Sequence, residues 1–332
     1  MRTHWKTWLP WAVSALAIFV AVRGVHPAEL TAALSKAQLV WLVPATALLL
    51  VNLGVRAWRW SLIMGKTPFW VTFHAINIGY MLNTVMPLRL GEVGRAYVIG
   101  ERTTVPMTRA FSSVIVERIL DLASIVLIFS AITPFVEMPP LISHAATTGA
   151  VFVALLVVGL GVLTWQSARA EALLRRLMAR APRISPEARE RWVLRFVELC
   201  AGFRAVGSAS RVIGILALTT FIWINSVVIA FILMRALMPP HVAQAGLVVV
   251  ASNLAGAIPA APGGLGVIQA FSKSALVLPF HVEEGLALAF AILFTFTGQI
   301  FLVVMGLIGL ARIRLRFSDV RGTGAPAAGR AS

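Results

Sequence analysis

LNTVMPLRLGEVGR, residues 82–95, interrupts a chain that is otherwise overwhelmingly apolar. It gathers Asn83, Pro87, Arg89, Gly91, Glu92 and Arg95 beside long hydrophobic runs. The stretch is too polar for an ordinary membrane span, and its flanks are too apolar for an ordinary loop. Pro87 has no backbone N–H and Gly91 admits unusual dihedrals, so the spacing predicts a helix that breaks between them. Irregular backbone at membrane depth is tolerated only where protein or a water-filled cavity surrounds it. Arg89, Glu92 and Arg95 are then expected to line an internal polar site, with Glu92 and Arg95 pairing across one helical turn. The alternative is a shallow cytoplasmic loop whose arginines meet headgroups.

The rest of the chain supports a membrane setting. Of its 332 residues, 59% are hydrophobic and only 13% charged, with a mean hydropathy of +0.86. Soluble domains carry about a quarter charged residues. Several apolar runs reach the ~20 residues that cross ~30 Å of hydrocarbon. The net charge of +16 is explained by the enrichment of Lys and Arg in cytoplasmic loops, and no basic-aromatic module for nucleic acid is present. The single Cys200 excludes a disulfide framework, and no metal or cofactor motif is found. Arg2 and Lys6 before the apolar residues 7–22 resemble a signal peptide, but an uncleaved first helix is expected.

Six full spans are expected at about 7–23, 39–62, 107–133, 147–165, 211–236 and 284–311. Residues 68–106 and 244–280 are each interrupted by Pro, Gly and polar residues and read as re-entrant helical hairpins. With cytoplasmic N- and C-termini, the inside segments hold 24 of the 29 Lys and Arg, as the positive-inside rule requires. The expected fold is an all-α polytopic membrane protein: six spans and two oppositely oriented re-entrant hairpins in an inverted repeat. Its membrane domain would cover 1–317, with halves 1–146 and 147–317. A basic amphipathic connection, 166–210, would lie on the inner surface or form a solvated linker, and 318–332 would be a disordered tail. Inverted repeats with broken helices are a transporter design, which channels can share.

Two further constellations carry chemistry. Glu117, Arg118 and Asp121 lie about ten residues into a span, where unpaired charge costs several kcal/mol. They read equally as a structural ion cluster and as a functional one. In the second hairpin, NLAGAIPAAPGGLGVIQA (253–270), Asn253 precedes Pro259 as Asn83 precedes Pro87. Gly263, Gly264 and Gly266 expose backbone N–H groups at a fresh helix start, a setting that cradles anions. Arg56, Trp58, Arg59 and Trp60 read as an interfacial anchoring belt. His74 is read as structural, and Thr295, Thr297 and Gln299 as interhelical hydrogen-bonders.

Asn83…Pro87-x-Arg89-x-Gly91-Glu92-x-x-Arg95, Glu117-Arg118-x-x-Asp121 and Pro262-Gly263-Gly264-Leu265-Gly266, in that order, carry a resemblance over roughly residues 5–312. The chain resembles flippase-like membrane proteins related to the transmembrane part of bacterial lysylphosphatidylglycerol synthase. The resemblance implies a multi-pass protein of the bacterial inner membrane that translocates lipids or handles lipid-linked intermediates. Its partner would be a phospholipid or an isoprenoid-phosphate lipid, with Arg89 and Arg95 on the phosphate. A homo-oligomer is compatible with this. Bifunctional relatives add a soluble aminoacyl-transfer domain, which this chain is expected to lack. Relatives often carry a glutamate three residues past the last glycine of PGGLG, where this chain has Gln269. The alternatives are a membrane enzyme, or its partner, acting on lipid headgroups, and an ion or solute channel. No HExxH, nucleophile elbow or Walker loop supports the enzyme.

Overall fold

The structure is a computed structural model. It describes residues 5–65, 67–86, 90–136, 209–258 and 260–315, with a few positions between 148 and 190. All regular structure among the described residues is helical. The α-helices are α1 (Trp5–Val22), α2 (Pro27–Ser35), α3 (Leu42–Met64), α4 (Phe69–Val85), α5 (Gly91–Arg102) and α6 (Met107–Ile132). After the connection come α7 (Ala209–Met234), α8 (Val242–Ala257), α9 (Val267–Phe280) and α10 (Glu284–Ile313).

At 1.5 Å per residue, about 20 apolar residues are needed to cross a bilayer. Leu39–Met64, Ser210–Met234, Pro262–Phe280 and Glu284–Ile313 meet that length and composition. Helix α6 has the length, but Glu117, Arg118 and Asp121 sit near its middle. Helices α1 and α2 meet at a bend of 84°. Gly24 turns the chain there with φ +80°, and Pro27 starts α2 without losing a helical hydrogen bond. The expected span 147–165, the connection 166–210, the tail 318–332 and Arg89 lie outside the described residues, wholly or almost so.

The molecule is inside-out relative to a soluble protein. Ile213, Ile224 and Ile300 are 66%, 59% and 61% exposed, while Arg59 and Glu117 are 0% and 1% exposed. Only a hydrocarbon surround makes that distribution favourable, so this is a multi-pass membrane protein. Among the described residues, two large apolar cores form beside smaller clusters. One joins α3–α6 to the end of α10 through Trp60, Ile76, Leu82, Ile99 and Leu310. The other joins α7–α10 to parts of α3 and α6 through Ile222, Leu233, Val248, Leu276 and Phe290.

Both expected interruptions are real breaks in helical structure. Helix α4 ends at Val85, Met86 is extended, and α5 starts at Gly91. Helix α8 ends at Ala257, a 3-10 turn covers Pro262–Gly264, and α9 starts at Val267. The second arm of this second segment, Pro262–Phe280, is itself long enough to cross, which a returning half-helix would not require. The breaks lie against one another: a side chain built at Gly263 would come within 3.2 Å of Thr84 O at the end of α4.

Candidate functional site: an arginine-walled cavity

Asn52, Arg56 and Arg59 recur at i, i+4 and i+7 on α3, so they share one face. Glu117 and Asp121 do the same on α6. Packing α3 against α6 brings these faces together. Arg59 donates to Asp121 Oδ1 at 2.9 Å and lies 3.6 Å from Glu117 Oε1. From α5, Arg95 reaches Glu117 Oε2 at 3.0 Å, with its guanidinium 4.7 Å from the Trp60 ring centroid. The Trp60 indole N–H donates to Ser113 Oγ at 2.8 Å, which fixes the ring beneath it. Arg118 contacts Glu117 at 3.0 Å and Asp121 at 3.6 Å. Arg56 lies 3.8 Å from Asp121, donates to Asn52 Oδ1 at 2.8 Å and reaches Tyr80 OH at 3.3 Å.

The contact network thus joins four guanidinium groups to two carboxylates, a surplus of positive charge at low dielectric. Buried ions are tolerated when paired and hydrogen-bonded; removing one partner costs about 3–5 kcal/mol. The cluster has two layers. Arg59, Glu117 and Arg95 are buried behind the wall. Arg56, Arg118 and Asp121 line a cavity of about 570 Å³, together with Asn52, Tyr80 and Trp223. Asn253 and Gln299 line it from α8 and α10. A chamber of this size with a few convergent polar groups has the dimensions of a small-molecule or headgroup site.

The sequence-predicted residues divide accordingly. Arg118, Asp121 and Asn253 line the cavity; Arg95 and Glu117 hold its wall from behind. The expected Glu92–Arg95 pair does not carry the site. Arg95 turns instead to Glu117, where it gains an ion pair and a stacking surface. Asn83 and Glu92 work at the break: Asn83 Oδ1 accepts the Gly91 N–H at 2.8 Å, and its Nδ2 donates to Glu92 Oε1 at 3.3 Å. Gly91 is glycine because the carbonyl of Gly79 on α4 occupies the place of a Cβ.

The second break is closed on itself. Gly263, Gly264 and Gly266 adopt φ of +69°, +65° and +83°, the left-handed region open to glycine. The Gly264 N–H donates to Ala261 O at 2.9 Å and the Gly266 N–H to Gln269 Oε1 at 2.7 Å. Gln299 Nε2 donates to Gly263 O at 2.6 Å. The N–H groups of Gly264 and Gly266, expected to cradle an anion, are therefore satisfied by the protein's own acceptors. Gly263, Gly264, Gly266 and Gln269 all stand outside the cavity lining.

Residues read as an anchoring belt prove central. Trp58 is exposed as a belt residue should be, but Arg59 and Trp60 are fully buried. The available signal was the 52/56/59 period, which puts Asn52, Arg56 and Arg59 on the face opposite Trp58. Tyr80, Trp223 and Gln299 gave no such signal; helix packing alone brings them to the cavity.

Comparison with known proteins fits this architecture. Glycosyltransferase AglD of Haloferax volcanii is 28% identical over 320 residues, covering 85% of this chain and 50% of that protein. The chain thus spans about half the length of this curated relative. No solved structure matches the chain. The family described as the lysylphosphatidylglycerol synthase TM region matches residues 7–306, nearly the whole length. The chain belongs to the lysylphosphatidylglycerol synthase transmembrane-region family.

Proposed function

We propose that the protein translocates a phosphate-bearing lipid, or a lipid-linked intermediate, across the membrane. The observation that carries this reading is the cavity wall: Arg56 and Arg118 line the cavity from a cluster with surplus positive charge. A phosphate entering there would accept from both guanidinium groups, and charge-assisted bonds of this kind are the strong ones. Arg59 and Arg95 hold the carboxylates back, so the wall keeps its shape while Arg118 exchanges Asp121 for phosphate. The phosphate contacts expected of Arg89 and Arg95 pass, in this reading, to Arg56 and Arg118.

The cycle we envisage uses six spans and two re-entrant hairpins in an inverted repeat, with both termini cytoplasmic in a bacterial inner membrane. The two breaks abut at Thr84 and Gly263, next to the cavity. Rocking one half against the other about that contact would open the cavity to alternate leaflets. The role is transport rather than catalysis.

The test is reconstitution in phosphatidylcholine vesicles carrying fluorescent phosphatidylglycerol or a labelled isoprenoid phosphate, with dithionite reporting leaflet exchange. Wild type should accelerate exchange. Arg56→Gln and Arg118→Gln should each slow it about tenfold, the loss of one charged hydrogen bond. No acceleration by wild type, or unchanged rates in both variants, overturns the reading. A second reading has one observation behind it, the relative named a glycosyltransferase. In it the cavity holds a lipid-linked sugar for transfer, with Asn253 and Gln299 on its hydroxyls. A covalently altered lipid after incubation with the protein and a sugar donor would favour it.

A further inference from the structure

Trp223 belongs to two chambers. It lines the arginine-walled cavity, and it also lines a second cavity of about 630 Å³ between α6, α7 and α8. This second space is walled by apolar side chains, among them Leu127, Ile128, Val227, Val228 and Phe231. Leu127 and Ile224, also in its wall, are 52% and 59% exposed on the outer surface of the helices. Trp223 itself is 3% exposed, and its indole N–H has no hydrogen-bond partner among the described residues. The Arg56 guanidinium lies 5.9 Å from its ring centroid.

A buried N–H left without a partner is costly unless a ligand satisfies it. Tryptophan suits the boundary between a polar and an apolar compartment, since it offers a ring to one and a donor to the other. A lipid poses that boundary problem. Its phosphate can enter the arginine-walled cavity, but about 570 Å³ does not hold a headgroup and two hydrocarbon tails together. The tail needs an apolar passage adjoining the headgroup chamber, and the space across Trp223 is one.

We infer that a hydrocarbon tail of the same anionic lipid lies in the α6–α7–α8 cavity while its phosphate is held by Arg56 and Arg118, with the Trp223 indole N–H donating to a lipid oxygen at the head–tail junction. This rests on the proposed function and adds a tail site to it. The occupant is a selected lipid rather than a random bilayer lipid, because its phosphate is fixed on the other side of Trp223.

The test uses the full chain in phosphatidylcholine nanodiscs doped with phosphatidylglycerol carrying a diazirine on one acyl chain; equally doped diazirine-phosphatidylcholine is the control. Adducts at Ile224 and Val228 should be about tenfold more abundant from phosphatidylglycerol, the selectivity of one charged contact. Arg118→Gln should abolish the excess, Trp223→Phe should reduce it severalfold, and Val228→Trp should remove it by filling the space. Equal labelling by the two lipids would mean bulk lipid occupies the cavity and overturns the inference. An excess that survives Val228→Trp overturns it too, as does labelling concentrated instead at outward residues such as Ile213 and Leu307. Binding of water-soluble glycerol phosphate separates the two claims. If wild type binds it and Arg118→Gln does not, the headgroup site stands whatever the tail labelling shows. If wild type binds neither glycerol phosphate nor phosphatidylglycerol selectively, the proposed function falls together with the tail site.

Discussion

At the first break the N–H of Gly91 is taken by Asn83, a side chain of the preceding helix; at the second the N–H of Gly266 is taken by Gln269, a side chain of the helix it caps. Both breaks therefore fill a helix N-terminus with an amide oxygen. They differ in what else that amide does. Asn83 also donates to Glu92, so it ties α4 to α5 across the break. Gln269 makes a local cap, and the tie to another helix falls to Gln299, which reaches Gly263 from α10. Helix N-termini are ready-made anion sites, but here the first amides at both are engaged. The positive charge at the cavity comes instead from arginine side chains on α3 and α6.

The largest expected effect lies beside the first break. Glu117→Ala removes the carboxylate shared by Arg59, Arg95 and Arg118 and should destabilise the protein by about 3–5 kcal/mol. Thermal unfolding in detergent, followed by loss of the monodisperse elution peak, measures it. Arg118→Gln, at the half-exposed edge of the same cluster, should leave that unfolding temperature nearly unchanged while slowing lipid exchange about tenfold. A large stability loss in Arg118→Gln would show that it belongs to the structural layer.

Next come the caps. Asn83→Ala leaves both the Gly91 N–H and Glu92 without this partner and should cost about 2 kcal/mol, whereas Gln269→Ala loses one cap and should cost about 1 kcal/mol. Equal losses in circular-dichroism melts would erase the contrast between a bridging and a local cap. The smallest effect is expected from Gln269→Glu. A carboxylate oxygen can accept the same Gly266 N–H and is favoured at a helix N-terminus, so this variant should melt closer to wild type than Gln269→Ala does. A Gln269→Glu protein less stable than Gln269→Ala would mean that the site rejects charge, and that this chain differs there in more than one atom.

Several features were legible from residue order alone. Apolar runs of span length fixed the helical membrane class, because only helices and closed barrels satisfy backbone groups in hydrocarbon. Pro and Gly placed both breaks to within a few residues. Glu117, Arg118 and Asp121 announced a buried ion cluster, since charge is too costly there to be incidental. The partners of those charges were not legible. Arg95 was expected to pair within its own turn at Glu92, yet packing offered it Glu117 and the Trp60 ring. Arg56 and Arg59 looked like anchors because they sit near tryptophans toward one end of a span. Their burial follows from which face of α3 meets α6, a long-range fact.

The glycines of the second break show the same limit. Their left-handed backbone is a local property, readable from residue type. Whether their N–H groups were open to a ligand depended on Ala261 and Gln269, and the place of Gly263 beside Thr84 depended on how distant helices pack. Residue order thus set hydrophobicity, helix breaks and the sites of costly charge, since each is a short-range transfer or dihedral energy. The pairing of those charges, the cavity they wall and the double-sided position of Trp223 came from the assembled fold, because each depends on contacts between residues far apart in the chain.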